Sequence, residues 1–188
     1  MTTGDKRQHA VKTAAEQFLR YGFHRTTMAD IARASGFSRP ALYLLFPGKE
    51  QAFEAAVLHL NDILMARIER TLEDCATLQD QLLAICELWL VQVYSLKLGN
   101  PDAKDMDDLA FPVVRTVYAR LQDRVVRILS SELPEAVVSP ANLARLLIFS
   151  VRGLGATAEN LAEMRDLTHL KVDLFCRALA SGALRSDP

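Results

Sequence analysis

The sequence predicts an all-α protein with two parts: an N-terminal three-helix helix-turn-helix domain over residues 1–50 and a larger helical domain over residues 51–188. Apolar residues recur at helical spacing along most of the chain, and no segment alternates as a strand would. A glycine turn joins two short helical patterns between His24 and Glu50. Residues 1–50 carry eight Lys or Arg against four Asp or Glu, whereas the whole chain has a net charge of −1. A basic domain therefore precedes an acidic one.

The first two helices are predicted from local signals. Helix one is expected from about Asp5 to Tyr21, with one apolar face. Thr27 can cap the second helix, and Asp30, three residues later, completes a capping box. Gly36 stands where a left-handed residue would end that helix.

The third helix has its own signals. Ser38 can cap it, and Pro40 lies in its first turn, where a missing N–H costs little. Leu42 and Phe46 are four residues apart and are expected to pack on the second helix. The outer face is then formed by Arg39, Ala41, Tyr43 and Leu44.

That outer face has the chemistry of a helix placed in the major groove of DNA. Arg39 can donate two hydrogen bonds to a guanine or to a phosphate, and Lys49 can contact a phosphate in any sequence. Ala41 leaves room for close approach. A plain helical hairpin with solvated polar residues is the alternative. The residues expected at double-stranded DNA are Arg25, Thr26, Thr27, Ser38, Arg39, Pro40, Ala41, Tyr43 and Lys49.

A family pattern is carried by about the first quarter of the chain. Its parts are Ala14-Ala15, Phe18, Tyr21-Gly22-Phe23, His24 to Met28, Ile31-Ala32, Gly36-Phe37-Ser38, Leu42-Tyr43, Phe46 and Lys49-Glu50. With these residues the segment resembles the DNA-binding domain of TetR-family transcriptional regulators. The family usually has His or Tyr where this chain has Leu44 and Leu45, so the contacts of those two positions are not carried over.

The remaining chain is predicted to form further helices separated by proline and glycine turns. They are expected over Lys49 to the low seventies, Leu78–Leu98, an acidic helix Asp102–Leu109 with solvated carboxylates, Val113–Glu132, Ser139–Thr157 and Met164–Ser181.

The middle helices are expected to form a sensor for an unknown small-molecule effector. Large and adaptable apolar side chains share faces there, which suits a largely apolar ligand pocket. Ordinary core packing is the alternative. The candidate lining residues are Met65, Cys86, Trp89, Val93, Phe111, Val114 and Tyr118. The resemblance implies that a bound ligand changes the separation of two DNA-binding domains and lowers operator affinity.

The last two long helices are apolar over more than one face, which predicts a homodimer joined by four helices. A helix central to a single core is the alternative. The residues expected at the dimer interface are Leu143, Leu147, Val151, Leu154, Leu167, Leu170, Leu174 and Ala178. Such a dimer would present two recognition helices to a near-palindromic operator.

Other classes of protein are disfavoured. The four histidines are scattered, and no nucleophile–base pair, metal-ligand spacing or phosphate loop appears, so we expect no enzyme, cofactor or metal site. Three widely spaced cysteines suggest buried thiols in a reducing cytoplasm, with redox sensing as the alternative. No signal peptide or membrane span is expected. The sequence thus predicts a transcriptional repressor released by its ligand; the alternative is a helical interaction module with weakened or lost DNA binding.

Overall fold

The computed structural model describes residues 2–132 and 138–181, and within these ranges the chain is helical and contains no strand. The all-α prediction is therefore confirmed. The α-helices are α1 Thr3–Arg25, α2 Met28–Ser35, α3 Arg39–Leu45, α4 Lys49–Leu72, α5 Leu78–Ile85, α6 Gln92–Gly99, α7 Pro112–Glu132, α8 Pro140–Leu154 and α9 Leu161–Ala180. A π-helical turn, Cys86–Val91, joins α5 to α6, and a 3₁₀ helix, Pro101–Asp107, precedes α7.

The chain divides into two compact units. The first unit, called the head below, comprises Met1–Ile63 and Gly99–Val117. The second comprises Leu64–Leu98 and Tyr118–Pro188. This division differs from the boundary expected at residue 50, because the start of α4 and a distant segment around the 3₁₀ helix both pack with α1.

An aromatic cluster forms the centre of the head. The ring of Phe53 lies 5.1 Å from that of Phe18 and 4.9 Å from that of Phe23, measured between centroids. Phe111, from the distant segment, lies 4.9 Å from both Phe23 and Phe53. Such edge-on ring contacts stabilise beyond the apolar area they bury. Residues far apart in the sequence therefore share one core with the helix-turn-helix.

A sharp turn near the end of α1 depends on Gly22. Its backbone has φ 74° and ψ 169°, a region that residues with a side chain essentially never occupy. A Cβ at this position would also overlap the carbonyl oxygen of Asp102. The predicted end of the first helix at Tyr21 thus coincides with a real break, although one further turn of helix follows.

The second unit is a helical bundle around a π-helical turn. The turn contacts α8 and α9, and α5 also packs on α9. The sequence predicted an unbroken helix over Leu78–Leu98, and the wider turn at Cys86–Val91 was missed. This turn buries Cys86, Trp89, Leu90 and Val91 together, which brings more of its circumference into the core than an α-helical stripe would.

One segment of the described residues, Leu78–Gly99, is long and apolar enough to span a membrane by length and composition. No such segment was expected from the sequence. Its most apolar window is 39% buried within the chain. Core helices have the same composition, so a single helix of this kind is weak support for a membrane protein.

We predict that Gly22→Ala destabilises the protein more than Gly36→Ala. Alanine at position 22 combines backbone strain of about 1–3 kcal/mol with overlap against Asp102. Gly36 has φ 71°, and a Cβ added there would meet no atom within 4 Å, so alanine encounters only a left-handed backbone, at about 1–2 kcal/mol. Urea unfolding followed by far-UV circular dichroism measures both variants. An equal loss of unfolding free energy in the two variants would show that the overlap with Asp102 adds nothing to the cost of alanine at position 22.

Candidate nucleic-acid interface

A capping box fixes the start of α2, as predicted. The Thr27 hydroxyl accepts a hydrogen bond from the Asp30 N–H at 3.2 Å, and the Asp30 carboxylate accepts one from the Thr27 N–H at 3.0 Å. The bonds from the Thr27 hydroxyl and N–H hold the pKa of Asp30 below its usual value. Because the pKa is lower in the folded state, this stabilisation is complete above the usual range and is lost as the pH falls through the folded value.

The turn between α2 and α3 also follows the prediction. Gly36 is left-handed, with φ 71° and ψ 12°, and its N–H donates to the carbonyls of Ala32 and Arg33. Ser38 caps α3 by accepting from the Ala41 N–H at 3.3 Å. Pro40 lies in the first turn of α3, where its missing N–H leaves no bond unmade.

Two faces of α3 differ sharply in exposure. Leu42 and the capping residue Phe46 are 0% and 1% exposed, so they anchor the helix in the head. Arg39 and Pro40 are exposed together with Tyr43 and Leu44, whose exposed fractions are 50% and 87%. Ala41 is half-buried, whereas Thr27 and Ser38 are exposed beside this face. The structure therefore brings most of the predicted DNA-contacting residues onto one accessible surface.

The structure corrects one of the predicted DNA-contacting residues, Thr26. Its side chain is buried, and its hydroxyl donates to the Gly22 carbonyl at 2.7 Å. The residue is the C-cap of α1 and ties the helix end to the turn at Gly22. A buried hydroxyl occupied in this way is not available to a phosphate. The adjacent Thr27, which is exposed, keeps the position expected for DNA contact.

Arg25 and Lys49 both make contacts within the head that sequence reasoning missed. The Arg25 guanidinium pairs with the Asp102 carboxylate at 2.8 Å, and its side chain remains 67% exposed. The Lys49 ammonium donates to the Phe23 carbonyl at 3.0 Å and lies 4.2 Å from the centroid of the Phe23 ring. The cation thus satisfies a carbonyl near the end of α1, besides any contact with a phosphate.

Asp105 makes a buried polar contact in the head with the backbone of α1. Its carboxylate accepts the Phe23 N–H at 2.8 Å and the His24 N–H at 3.4 Å. Nearby, the Asn100 side-chain amide donates to the Leu19 carbonyl and, at 3.0 Å, to the Arg20 carbonyl. Backbone groups freed by the break at Gly22 are satisfied in this way.

The expected acidic helix with solvated carboxylates is therefore wrong in part. The segment is a 3₁₀ helix, and Asp105 and Asp107 are buried while Asp108 is exposed. The run of aspartates does not indicate which carboxylate faces the head. The one signal for this contact is the break at Gly22, because the backbone N–H groups that follow it lose their helical partners and need another acceptor.

The candidate sensor residues are divided between the two units. Trp89 and Tyr118 are buried in the second unit with their rings 6.0 Å apart. Cys86 is buried there too, and burial raises the pKa of its thiol to about 12, so it is protonated at neutral pH. Met65 and Val93 are half-buried in the same unit. Phe111 and Val114 belong instead to the head, where Phe111 is part of the aromatic cluster.

The predicted dimer residues need a larger correction. Leu143, Leu147 and Val151 are at most 2% exposed and belong to the core of the second unit. Helical periodicity marked α8 as apolar on two faces but could not show which face the same chain covers. Leu154 and Leu167 are half-buried, whereas Leu170, Leu174 and Ala178 are exposed. Leu146 and Phe149, which were not among the predicted interface residues, are also exposed.

The helix-turn-helix part of the head is similar in sequence to known regulatory proteins. Residues 10–56 match the model of the family described as "Bacterial regulatory proteins, tetR family". The HTH-type transcriptional regulator RutR of Escherichia coli K12 is 33% identical over 73 residues, which are 39% of this chain and 34% of RutR. The chain thus matches about a third of that relative's length.

Solved structures resemble the whole fold at low identity. A TetR-family transcriptional regulator from Cytophaga hutchinsonii superposes with a TM-score of 0.71 at 16% identity, covering 100% of this chain and 99% of the other. The regulator FadR from Bacillus subtilis, in complex with stearoyl-CoA, gives a TM-score of 0.67 at 17% identity, covering 89% and 96%. Together they extend the similarity in fold beyond the helix-turn-helix.

We predict that Thr26→Val lowers stability without reducing the number of phosphate contacts. Valine keeps the shape of threonine but removes the hydroxyl that donates to the Gly22 carbonyl at 2.7 Å, and this carbonyl then keeps only the Thr26 N–H at 3.3 Å. The lost hydrogen bond costs about 0.5–1.5 kcal/mol. Urea unfolding measures that loss, and the salt dependence of binding to a random duplex counts phosphate contacts. Thr26→Ser, which retains the hydroxyl, is the control. A flatter salt dependence with unchanged stability would restore Thr26 to the DNA interface.

Proposed function

We propose that this chain, which belongs to the TetR family of bacterial regulatory proteins, is a sequence-specific transcriptional regulator that binds a near-palindromic operator as a dimer. It acts as a repressor and is released by a small, largely apolar ligand. The observation that carries the proposal is the exposed surface of α3, to which Arg39 and Tyr43 belong while Leu42 is buried and anchors the helix.

Electrostatics supports DNA as the partner of this face. Residues 1–50 have a net charge of +4, from eight basic and four acidic side chains. Arg39 is the first residue of α3, the end from which a recognition helix reaches base edges. Its planar guanidinium suits a guanine, and Thr27 and Ser38 stand beside it for backbone contacts.

A helical interaction module without DNA binding is the second candidate. The observation that favours it is Leu44, an apolar side chain that is 87% exposed on the same face. The two candidates differ in their response to salt. Contacts to phosphates make duplex binding fall steeply as salt rises, whereas apolar docking to a protein does not.

Selection of bound duplexes from a randomised pool, at near-physiological salt, tests the proposal. We expect enrichment of a near-palindrome. Arg39→Ala should weaken binding to it by about 1–3 kcal/mol and relax the preference at one base per half-site. Lys12→Ala is the control, because it removes one exposed positive charge from α1 without touching α3.

Two results would count against this proposal. If the folded protein enriched no sequence and bound random duplex without salt dependence, the interaction module would replace the regulator. If Arg39→Ala weakened binding to every sequence equally, Arg39 would contact phosphate only.

A dimer interface on α8 and α9 is the second part of the proposal. These helices contact each other, and each has exposed apolar residues at helical spacing. Leu170 and Leu174 are 53% and 56% exposed on α9, and Leu146 is 56% exposed on α8. Phe149 continues the stripe of α8 and stacks on Tyr118 inside the unit. A second copy would cover this apolar area symmetrically, and the interface would then contain four helices, two from each copy.

We predict that the double variant Leu170→Glu, Leu174→Glu is monomeric, because a dimer would bury both carboxylates in apolar surroundings. Sedimentation velocity at micromolar concentration measures the change. Leu98→Glu is the matched control, since Leu98 is 49% exposed on α6. A double variant that remains dimeric would place the interface elsewhere.

The effector site is proposed around Trp89 and Tyr118 in the second unit. The comparison with FadR bound to stearoyl-CoA supports a ligand with a large apolar part. To act, the ligand must favour the conformation with weaker operator binding, since equal affinity for both would shift nothing. A regulator of this kind works in the cytoplasm and needs neither a cofactor nor catalysis.

Trp89 is the only tryptophan of the chain, so its fluorescence reports on that site. We predict that an acyl-CoA or fatty acid that binds will change the emission of Trp89 and weaken operator binding over the same concentrations. Fluorescence titration and operator anisotropy measure the two effects. A ligand that changed Trp89 emission but left operator affinity unaltered would contradict its role as effector.

A further inference from the structure

We infer that Leu44 reads the 5-methyl group of a thymine, so that each operator half-site has a thymine opposite this residue. The inference rests on the proposed function and deepens it, because it names a residue that determines which sequences are bound.

Leu44 is unusual among the described apolar residues. It is 87% exposed, whereas the next most exposed large apolar side chains, Leu146 and Leu174, are each 56% exposed. The core of the head does not require it, because Leu42 and Phe46 already anchor α3. Covering a leucine side chain removes its apolar surface from water, so a partner at this position increases affinity.

The position of Leu44 on α3 indicates what covers it. Arg39 and Tyr43 are four residues apart and form a polar row. Pro40 and Leu44 have the same spacing and form an apolar row beside the first. Both rows are exposed, so a surface that contacts Arg39 and Tyr43 also meets Leu44.

In the major groove only one base offers an apolar group. Thymine carries a C5-methyl, whereas the other base edges present hydrogen-bond donors and acceptors. A leucine side chain can hydrogen-bond neither to these nor to a phosphate. A protein partner would need a much larger apolar surface than one leucine among an arginine, a tyrosine and a proline. The thymine methyl is therefore the occupant that the composition of this face favours.

Deoxyuridine provides a test that changes only the methyl group. In the selected operator, each thymine is replaced in turn by deoxyuridine, and the Kd is measured at fixed salt for the wild type and for Leu44→Ala. We expect that one thymine in each half-site faces Leu44. Replacing one such thymine alone should raise the wild-type Kd about fourfold, which is the effect of losing one buried methyl group. Leu44→Ala should bind the thymine and deoxyuridine duplexes equally well at that position.

The control variant is Ile63→Ala, which removes an apolar side chain that is 55% exposed in the head but lies on α4. It should keep the wild-type preference for thymine. Circular dichroism should show unchanged helix content for Leu44→Ala, since the side chain supports no core contact.

The outcomes separate this inference from the proposed function. An operator whose deoxyuridine replacements affect the wild type and Leu44→Ala equally would overturn the role of Leu44 and leave the regulator intact. Wild-type operator affinity in Leu44→Ala would overturn it too, and would favour a protein partner for that side chain. Failure to enrich any operator would overturn both the inference and the proposed function.

Discussion

The hydrogen bond from the Phe23 N–H to the Asp105 carboxylate is the contact on which the head depends. It closes the break that Gly22 makes in α1, where the backbone turns and loses its helical partners. Thr26 then bonds back to the Gly22 carbonyl, and Thr27 begins α2 directly afterwards. A carboxylate that accepts backbone N–H groups forms strong, charge-assisted bonds, which suits a buried position. The direction in which α2 and α3 leave α1 is therefore set at this turn.

Asp105 also makes the head discontinuous in sequence. The segment that carries it brings Phe111 into the aromatic cluster and Asp102 to Arg25, so three contacts hold the same helix end. An N-terminal domain made only of residues 1–50 would leave the Phe23 and His24 N–H groups without this acceptor. The proposed DNA-binding surface, although local in sequence, is thus supported by residues about eighty positions later.

The sequence predicted those features that depend on near neighbours. The capping box at Thr27, the left-handed Gly36 and the Ser38 cap are each decided within three or four residues, and all three are present. The bond from the Thr26 hydroxyl to the Gly22 carbonyl is also local but was missed, because it depends on the break in α1. The acceptor role of Asp105 and the core position of Leu147 were missed because distant packing decides them. The apolar pattern of α8 allowed burial on either face, and only the positions of its neighbouring helices decide between them. The apolar periodicity also did not indicate the π-helical turn, because a single wider turn is too short to change the apolar spacing of the whole segment.

Amide hydrogen exchange on Asp105→Ala tests most directly whether this contact holds the head together, with Lys104→Ala, an exposed neighbour, as control. Losing the acceptor should cost about 1–3 kcal/mol, which corresponds to exchange roughly 5- to 150-fold faster in α2 and α3. The control should exchange at the wild-type rate. Faster exchange confined to the end of α1, with α2 and α3 unchanged, would contradict this role of Asp105.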